Sequence, residues 1–206
     1  MRSGVWLRVG VHAVGLFPLA RWVVLGATQG LSANPQEFLT RSSGVWALAL
    51  LWAVLCVTPA RRLTGWTRLV RYRRALGLYA FFYTVLHVIA WAIWDRGGAP
   101  AAMWTDLWQR DFIGVGAIAV LLLVPLALTS TNGWIRRLGR WWRRLHWLIH
   151  PAAVLSVLHF EWMRAGKNDF LEPRIYAVIL AVLLGVRLWW WWENRAKQRF
   201  DQHRLG

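Results

Sequence analysis

Three histidines stand inside apolar stretches of this chain: His87 within Leu78–Trp94, and His146 and His159 at the two ends of Leu145–Trp162. An imidazole is costly in hydrocarbon, so an ionisable side chain placed there is read as functional. Two neutral imidazoles facing each other are what six-coordinate, low-spin haem iron takes as its axial pair. His146 and His159 are thirteen residues apart; at about 1.5 Å of rise per residue that is roughly 20 Å, the spacing of two haems stacked across one membrane. The pattern points to a membrane haem protein. The lone Cys56 excludes an internal disulfide and the C-x-x-C-H attachment of covalent haem, so any haem is held non-covalently.

Such histidines need helices to position them. The chain has 206 residues, is 57% hydrophobic and carries 18 Trp, well above the ~45–50% apolar content of an average soluble domain. Six stretches approach the ~20 apolar residues of a spanning helix: 5–28, 44–60, 75–94, 112–129, 145–162 and 174–192. They consume most of the length. The expectation is an all-α, polytopic six-helix bundle forming a single domain over residues 1–206, with short connections, no internal repeat and no soluble catalytic domain. The first stretch is interrupted by His12 and Arg21 and reads as a helix rather than a cleaved leader. Pro18 and Pro125 are tolerable inside membrane helices.

The formal net charge of +16 would suggest nucleic acid in a soluble protein, but its distribution reports topology instead. Arg61, Arg62, Arg68, Arg71, Arg73 and Arg74 fill the second connection, and Arg136, Arg137, Arg140, Arg143 and Arg144 the fourth. With Arg2, Arg8 and the C-terminal Arg195, Lys197, Arg199 and Arg204, one side carries 17 basic residues against Glu193 and Asp201. The other side has six basic and seven acidic residues. The positive-inside rule then gives an N-in, C-in orientation. A basic inner face suits anionic lipid, and no nucleic-acid partner is implied. The tryptophans fall largely in two interfacial belts.

Depth sorts the histidines. His87 lies fourteen residues beyond Arg73 on an outward-running helix, and His159 lies near the outer end of another, so these two are expected to ligate an outer haem iron. A hydrogen-bonding helix contact is the alternative role for a histidine at such a depth. His146 lies near the inner mouth beside Arg143 and Arg144, which could pair with haem propionates. Its opposite position holds Arg73 and Arg74 rather than histidine, so an inner haem would be five-coordinate or would take an unusual sixth ligand. On an ideal helix thirteen residues leave His146 and His159 about 140° apart. Pro151 supplies a plausible kink between them. His150, one turn from His146, competes with it as inner ligand. His12 reads as a packing or propionate contact and His203 as a solvated tail residue. Arg21 snorkels outward or meets a propionate.

The run Arg73-Arg74-Ala75-Leu76-Gly77-Leu78 leading to Thr84-Val85-Leu86-His87 resembles the MsrQ (YedZ) family. So do Leu128-Thr129-Ser130-Thr131, the run Leu138-Gly139-Arg140-Trp141-Trp142-Arg143-Arg144-Leu145-His146, and His159-Phe160-Glu161-Trp162. The similarity extends from Leu7–Pro18 through Thr58-Pro59-Ala60-Arg61 to the last apolar stretch, nearly the whole chain; order and spacing carry it rather than any one tetrapeptide. The resemblance implies a haem-binding subunit of the ferric-reductase-like transmembrane superfamily, with b-type haem (one or two) and flavin mononucleotide (FMN). It implies passage of electrons to MsrP, a periplasmic molybdopterin enzyme that reduces methionine sulfoxide in oxidised proteins, and hence a bacterial inner-membrane location. It places haem ligands at His87, His146 and His159, and Arg73 where other ferric reductases have a second histidine.

The chain has no G-x-G-x-x-G after a predicted strand and no room for a nicotinamide domain. Electrons are therefore expected from quinol or from a cytosolic flavin reductase, with Arg61, Arg62, Arg68 and Arg71 as candidates for a flavin phosphate or simply as topology signals. No independent substrate site is evident. Two rivals remain: a self-contained ferric or quinone reductase on the same scaffold, and a transporter using its histidines as a proton relay.

Overall fold

Asn34 opens the first of two long hairpins. Its side chain accepts a hydrogen bond from the Glu37 N–H at 3.2 Å and Pro35 follows at the first helical position, the usual start chemistry of a helix. The helix ends at Gly65, in the left-handed conformation at φ 71°, which glycine adopts without strain. A computed structural model describes residues 2–166 and 168–204, with side chains placed for residues 5–166 and 168–197. His203 thus lies outside the described side chains.

The helices are α1 (Arg2–Thr28), α2 (Pro35–Thr64), α3 (Arg73–Ala90), α4 (Pro100–Gln109), α5 (Asp111–Leu128), α6 (Asn132–Leu138), α7 (Arg140–Leu145), α8 (Ile149–Ala165) and α9 (Leu171–Arg204). A 3-10 segment, Thr67–Tyr72, leads into α3; a π-helical turn, Trp91–Asp95, ends it; a 3-10 turn, His146–Leu148, precedes α8. No strand occurs among the described residues. The all-α expectation holds. Among the described residues, five segments are long and apolar enough to cross a membrane: Val5–Thr28, Pro35–Thr64, Thr67–Asp95, Asp111–Leu128 and Leu171–Lys197. The expected span 145–162 is instead the 17-residue α8 preceded by its 3-10 turn.

α2 packs along α3, and α5 along α8. Their interior is small and tight: Ser43 (2% exposed), Ala80 (2%), Ala152 and Ala153 (both 0%), beside Leu50, Leu55 and Tyr83. Small residues let helix backbones approach where lipid offers no hydrophobic drive to associate. Outward faces are apolar, as at Val23, Leu121 and Val178. A soluble bundle would place polar residues there. α1 lies against α3, where the Tyr83 hydroxyl donates to the Gly15 carbonyl at 2.8 Å and His12 Nδ1 lies 2.9 Å from the Tyr79 hydroxyl. His12 is thus a packing contact. Arg21 sits 5.7 Å over the Phe38 ring.

Two connections expected as plain loops contain structure. In 95–111, α4 is tied down by buried Asp106, which pairs with Arg96 and, at 3.4 Å, with Arg110. At the end of α5, the Thr129 and Ser130 hydroxyls donate to the carbonyls of Pro125 and Leu126, and the Thr131 side chain caps α6 at Trp134 N. The Ser130 hydroxyl thus meets a carbonyl in the last turn of α5, and Thr131 meets an N–H in the first turn of α6, groups that helix ends leave short of partners.

Candidate functional site

α3 carries His87 and α8 carries His159, and the bundle brings their rings to 6.1 Å between centroids at 82°. His87 Nδ1 lies 2.8 Å from the Thr40 carbonyl oxygen, and His159 Nδ1 lies 2.7 Å from the Phe112 carbonyl oxygen. A carbonyl only accepts, so each Nδ1 carries the proton and each Nε2 keeps a free lone pair. That is the form in which imidazole ligates iron, with the backbone carbonyl orienting the ring from behind.

Two glycines make room for this. A Cβ on Gly44 would meet His87 Nδ1 at 3.0 Å, and one on Gly116 would meet His159 Nδ1 at 2.6 Å. Each imidazole therefore lies close against the backbone of the neighbouring helix. Sequence inspection singled out the two histidines but none of these four supporting residues.

The signal was present as a repeat that composition alone conceals. Phe112, Gly116 and His159 each stand 72 residues after Thr40, Gly44 and His87, and both ring-to-carbonyl contacts span 47 residues. Ala80-x-x-x-Thr84-Val85-Leu86-His87 recurs as Ala152-x-x-x-Ser156-Val157-Leu158-His159. Thr84 and Ser156 donate to the carbonyls of Ala80 and Ala152 in the same way. The expectation of no internal repeat is corrected: α2–α3 and α5–α8 are two copies of one histidine-bearing hairpin.

At the opposite, arginine-rich end the same register places Arg74 opposite His146. Arg74, however, turns to Asn132, donating to its Oδ1 at 2.6 Å. Half-buried Arg73 lies instead within electrostatic range of His146 and His150. His146 stacks on Trp142, with centroids 3.9 Å apart, and its Nδ1 lies 3.1 Å from the Trp142 carbonyl. His150 Nδ1 lies 3.0 Å from the Trp147 carbonyl. Both leave Nε2 available, and neither faces a second imidazole ring.

Arg143 and Arg144 are exposed, with Arg144 stacked 4.5 Å over Trp141. The expected kink at Pro151 is replaced by the 3-10 turn at His146–Leu148, and Pro151 falls in the first turn of α8. There its missing N–H costs nothing. Arg187 of α9, absent from the sequence reading, donates to the Leu55 carbonyl in the bundle.

The fit to a haem iron can be tested on this geometry. No group of three or more His, Cys, Asp or Glu among the described residues could hold a bare metal ion. Two imidazoles suffice only when a macrocycle supplies the other four ligands. With metal–nitrogen bonds of about 2 Å, two coaxial imidazoles place their centroids roughly 6.3 Å apart. The observed 6.1 Å fits, as does the tautomer.

The Ferric reductase like transmembrane component family matches residues 43–157, the stretch from within α2 to just before His159. Relatives named protein-methionine-sulfoxide reductase heme-binding subunit MsrQ align over most of both chains. That of Ralstonia nicotianae is 54% identical over 91% of this chain and 87% of its own. That of Bordetella pertussis is 52% identical over 92% of each, and that of Xanthomonas axonopodis pv. citri 47% over 87% and 84%. The chain belongs to the MsrQ family of ferric-reductase-like transmembrane components.

Proposed function

We propose that this chain is a haem b electron-transfer subunit of a methionine sulfoxide reductase system, with His87 and His159 as axial ligands of one haem iron. The carrying observation is the apposition of these two rings, each with Nδ1 held by a backbone carbonyl and Nε2 turned free. Haem, when bound, supplies the one-electron chemistry. The chain would hold it with the imidazole nitrogens of His87 and His159, their rings oriented through the Thr40 and Phe112 carbonyls and given room by Gly44 and Gly116.

The topology is six spans with both termini inside, in a bacterial inner membrane. α8 is the sixth: its partner α5 is a spanning helix, and the repeat makes it the counterpart of α3. Supporting the orientation, Arg74 meets Asn132 and Arg62 lies 4.6 Å over Trp190. The second connection, the fourth connection and the end of α9 therefore share one basic end.

Electrons enter at that end, from quinol or from a cytosolic flavin reductase, through a second site where His146, with His150 as alternate, faces Arg73. The family resemblance adds FMN there, with Arg61, Arg62, Arg68 and Arg71 available to a flavin phosphate. They leave at the His87–His159 end to an MsrP-like periplasmic enzyme.

The test uses purified protein in nanodiscs. Oxidised and dithionite-reduced spectra should show a b-type Soret band; a colourless protein would favour the transporter. Reduced protein should be reoxidised by an MsrP-like enzyme, whereas rapid reoxidation by ferric chelates alone, with none by that enzyme, would favour a self-contained ferric reductase.

A further inference from the structure

Trp91 stands one helical turn beyond His87. Its backbone N–H donates to the carbonyls of His87 and Val88, so α3 continues into the π-helical turn Trp91–Asp95 without a break, and the two side chains share one face of the helix. That face is turned towards α8, since the His87 ring meets His159 across it. The Trp91 ring is partly buried, and its Nε1 is enclosed without a hydrogen-bond partner. A single π-helical turn joined to an α-helix occurs frequently at functional sites. The second hairpin has Met163 at the matching place, 72 residues on and one turn beyond His159. The repeat therefore supplies an indole donor in one copy and, in the other, a thioether that donates nothing.

An enclosed N–H without an acceptor bears the full desolvation penalty of the group, and in a native fold it calls for an acceptor that the chain itself does not provide. Haem b brings two, the carboxylates on one edge of its ring. Carboxylates are expensive in hydrocarbon, so with the iron between His87 and His159 that edge belongs towards the nearer water. From His87 the nearer water lies past exposed Asp95, and Trp91 stands between. The charged donors at this end are engaged already: Arg41, Arg96, Arg110, Arg164 and Arg174 each pair with a carboxylate of the chain. The Trp91 N–H remains without an acceptor, on the face that carries the axial histidine.

We propose that Trp91 is a haem-binding residue: its indole N–H donates to a haem carboxylate, which helps to retain the haem of the His87–His159 pair and raises its midpoint potential. This rests on the axial assignment and adds to it a contact at the edge of the ring. The direction of the effect follows from charge. A carboxylate that receives a hydrogen bond projects less negative charge onto the iron, and ferric haem, more positive than ferrous by one charge, loses more stabilisation by that. Trp52 of α2 has the same deficit without the same place. Its Nε1 is also enclosed and unpartnered, but it stands eight residues beyond Gly44, roughly 12 Å along the helix, with its ring edge-to-face against Tyr176 of α9.

The experiment compares wild type, Trp91→Phe and Trp52→Phe as haem-loaded full chains in nanodiscs. The readouts are the carboxylate bending modes of haem by resonance Raman, the midpoint potential by redox titration, and the rate of haem transfer to excess apomyoglobin. Trp91→Phe should keep the low-spin signature, shift the bending modes, lower the potential and speed haem loss by about tenfold. Trp52→Phe should match the wild type, and Trp91→Gln, which keeps an N–H donor, should fall between. A second arm reconstitutes the chains with haem dimethyl ester, whose carboxyl groups carry no charge; there the gap in loss rate between wild type and Trp91→Phe should shrink to about twofold or less. An undiminished gap with the ester, equal effects of Trp91→Phe and Trp52→Phe, or no change in any readout overturns the proposal and leaves the axial histidines standing. Absence of the low-spin bis-histidine signature in the wild type overturns both. If Trp91→Phe does not accumulate, Trp91→Gln against Trp91→Leu reads the same donor.

Discussion

His87 and His159 face each other at 6.1 Å across the interface of two helices, and each is locked by a carbonyl oxygen 47 residues earlier in the chain. Replacing either with Ala removes one axial nitrogen while leaving its partner in place. Each variant should lose the low-spin bis-histidine signature by electron paramagnetic resonance, and the double variant should lose haem. Retention of an unchanged signature in both single variants would refute the axial assignment.

The glycines predict a graded effect. A methyl at Gly116 falls 2.6 Å from His159 Nδ1, closer than van der Waals contact permits, and the ring is tied by its hydrogen bond to the Phe112 carbonyl. At Gly44 the closest approach is 3.0 Å. Gly116→Ala should therefore reduce haem occupancy more than Gly44→Ala, read as the Soret-to-280 nm absorbance ratio of protein purified in parallel. Equal occupancy in both variants and wild type would show that ring position is not set by these contacts.

At the arginine-rich end, His146→Ala should slow quinol-driven haem reduction or lower haem stoichiometry, and Arg73→Ala should do so in parallel. Stopped-flow reduction and pyridine haemochrome analysis measure the two quantities. A loss confined to His150→Ala would transfer the role to His150, one turn further along the chain.

Asp106 is 7% exposed at its side chain and lies between Arg96 and Arg110. Removing one partner of a buried charged set leaves the other charge uncompensated, at a cost of about 3–5 kcal/mol. Asp106→Ala should lower the thermal midpoint clearly. Charge removal at the half-exposed Asp169 should cost less, about 1 kcal/mol or below. Differential thermal unfolding of the haem-loaded protein compares the two; equal effects would mean that α4 is not held by Asp106.

The apolar stretches, the basic connections and His87, His146 and His159 were legible in the sequence because each is written in local pattern: hydropathy over a helix length, arginine without acid, an imidazole out of place. The distortion between His146 and His159 was legible as a necessity but not as a location. The backbone break falls in the 3-10 turn before Pro151 rather than at it, because a proline in the first helical turn breaks no hydrogen bond.

Tertiary structure alone decided the rest. Thr40 and Phe112 act through backbone carbonyls, which no residue type announces, and Gly44 and Gly116 act by what they lack. Arg73 and Arg74 are neighbours in sequence, yet a helix separates successive side chains by about 100°. One therefore turns towards His146 and His150 and the other outward to Asn132. Arg187 reads in sequence as one more arginine near a membrane boundary; only the packing of α9 against α2 shows its guanidinium turned inward with a nitrogen unpaired. Sequence determined which groups could do chemistry and which segments cross the apolar layer, since both follow from local composition. Which groups meet depended on the register of helices far apart in the chain, and that is set by long-range packing of small residues such as Ala80, Ala152 and Ala153.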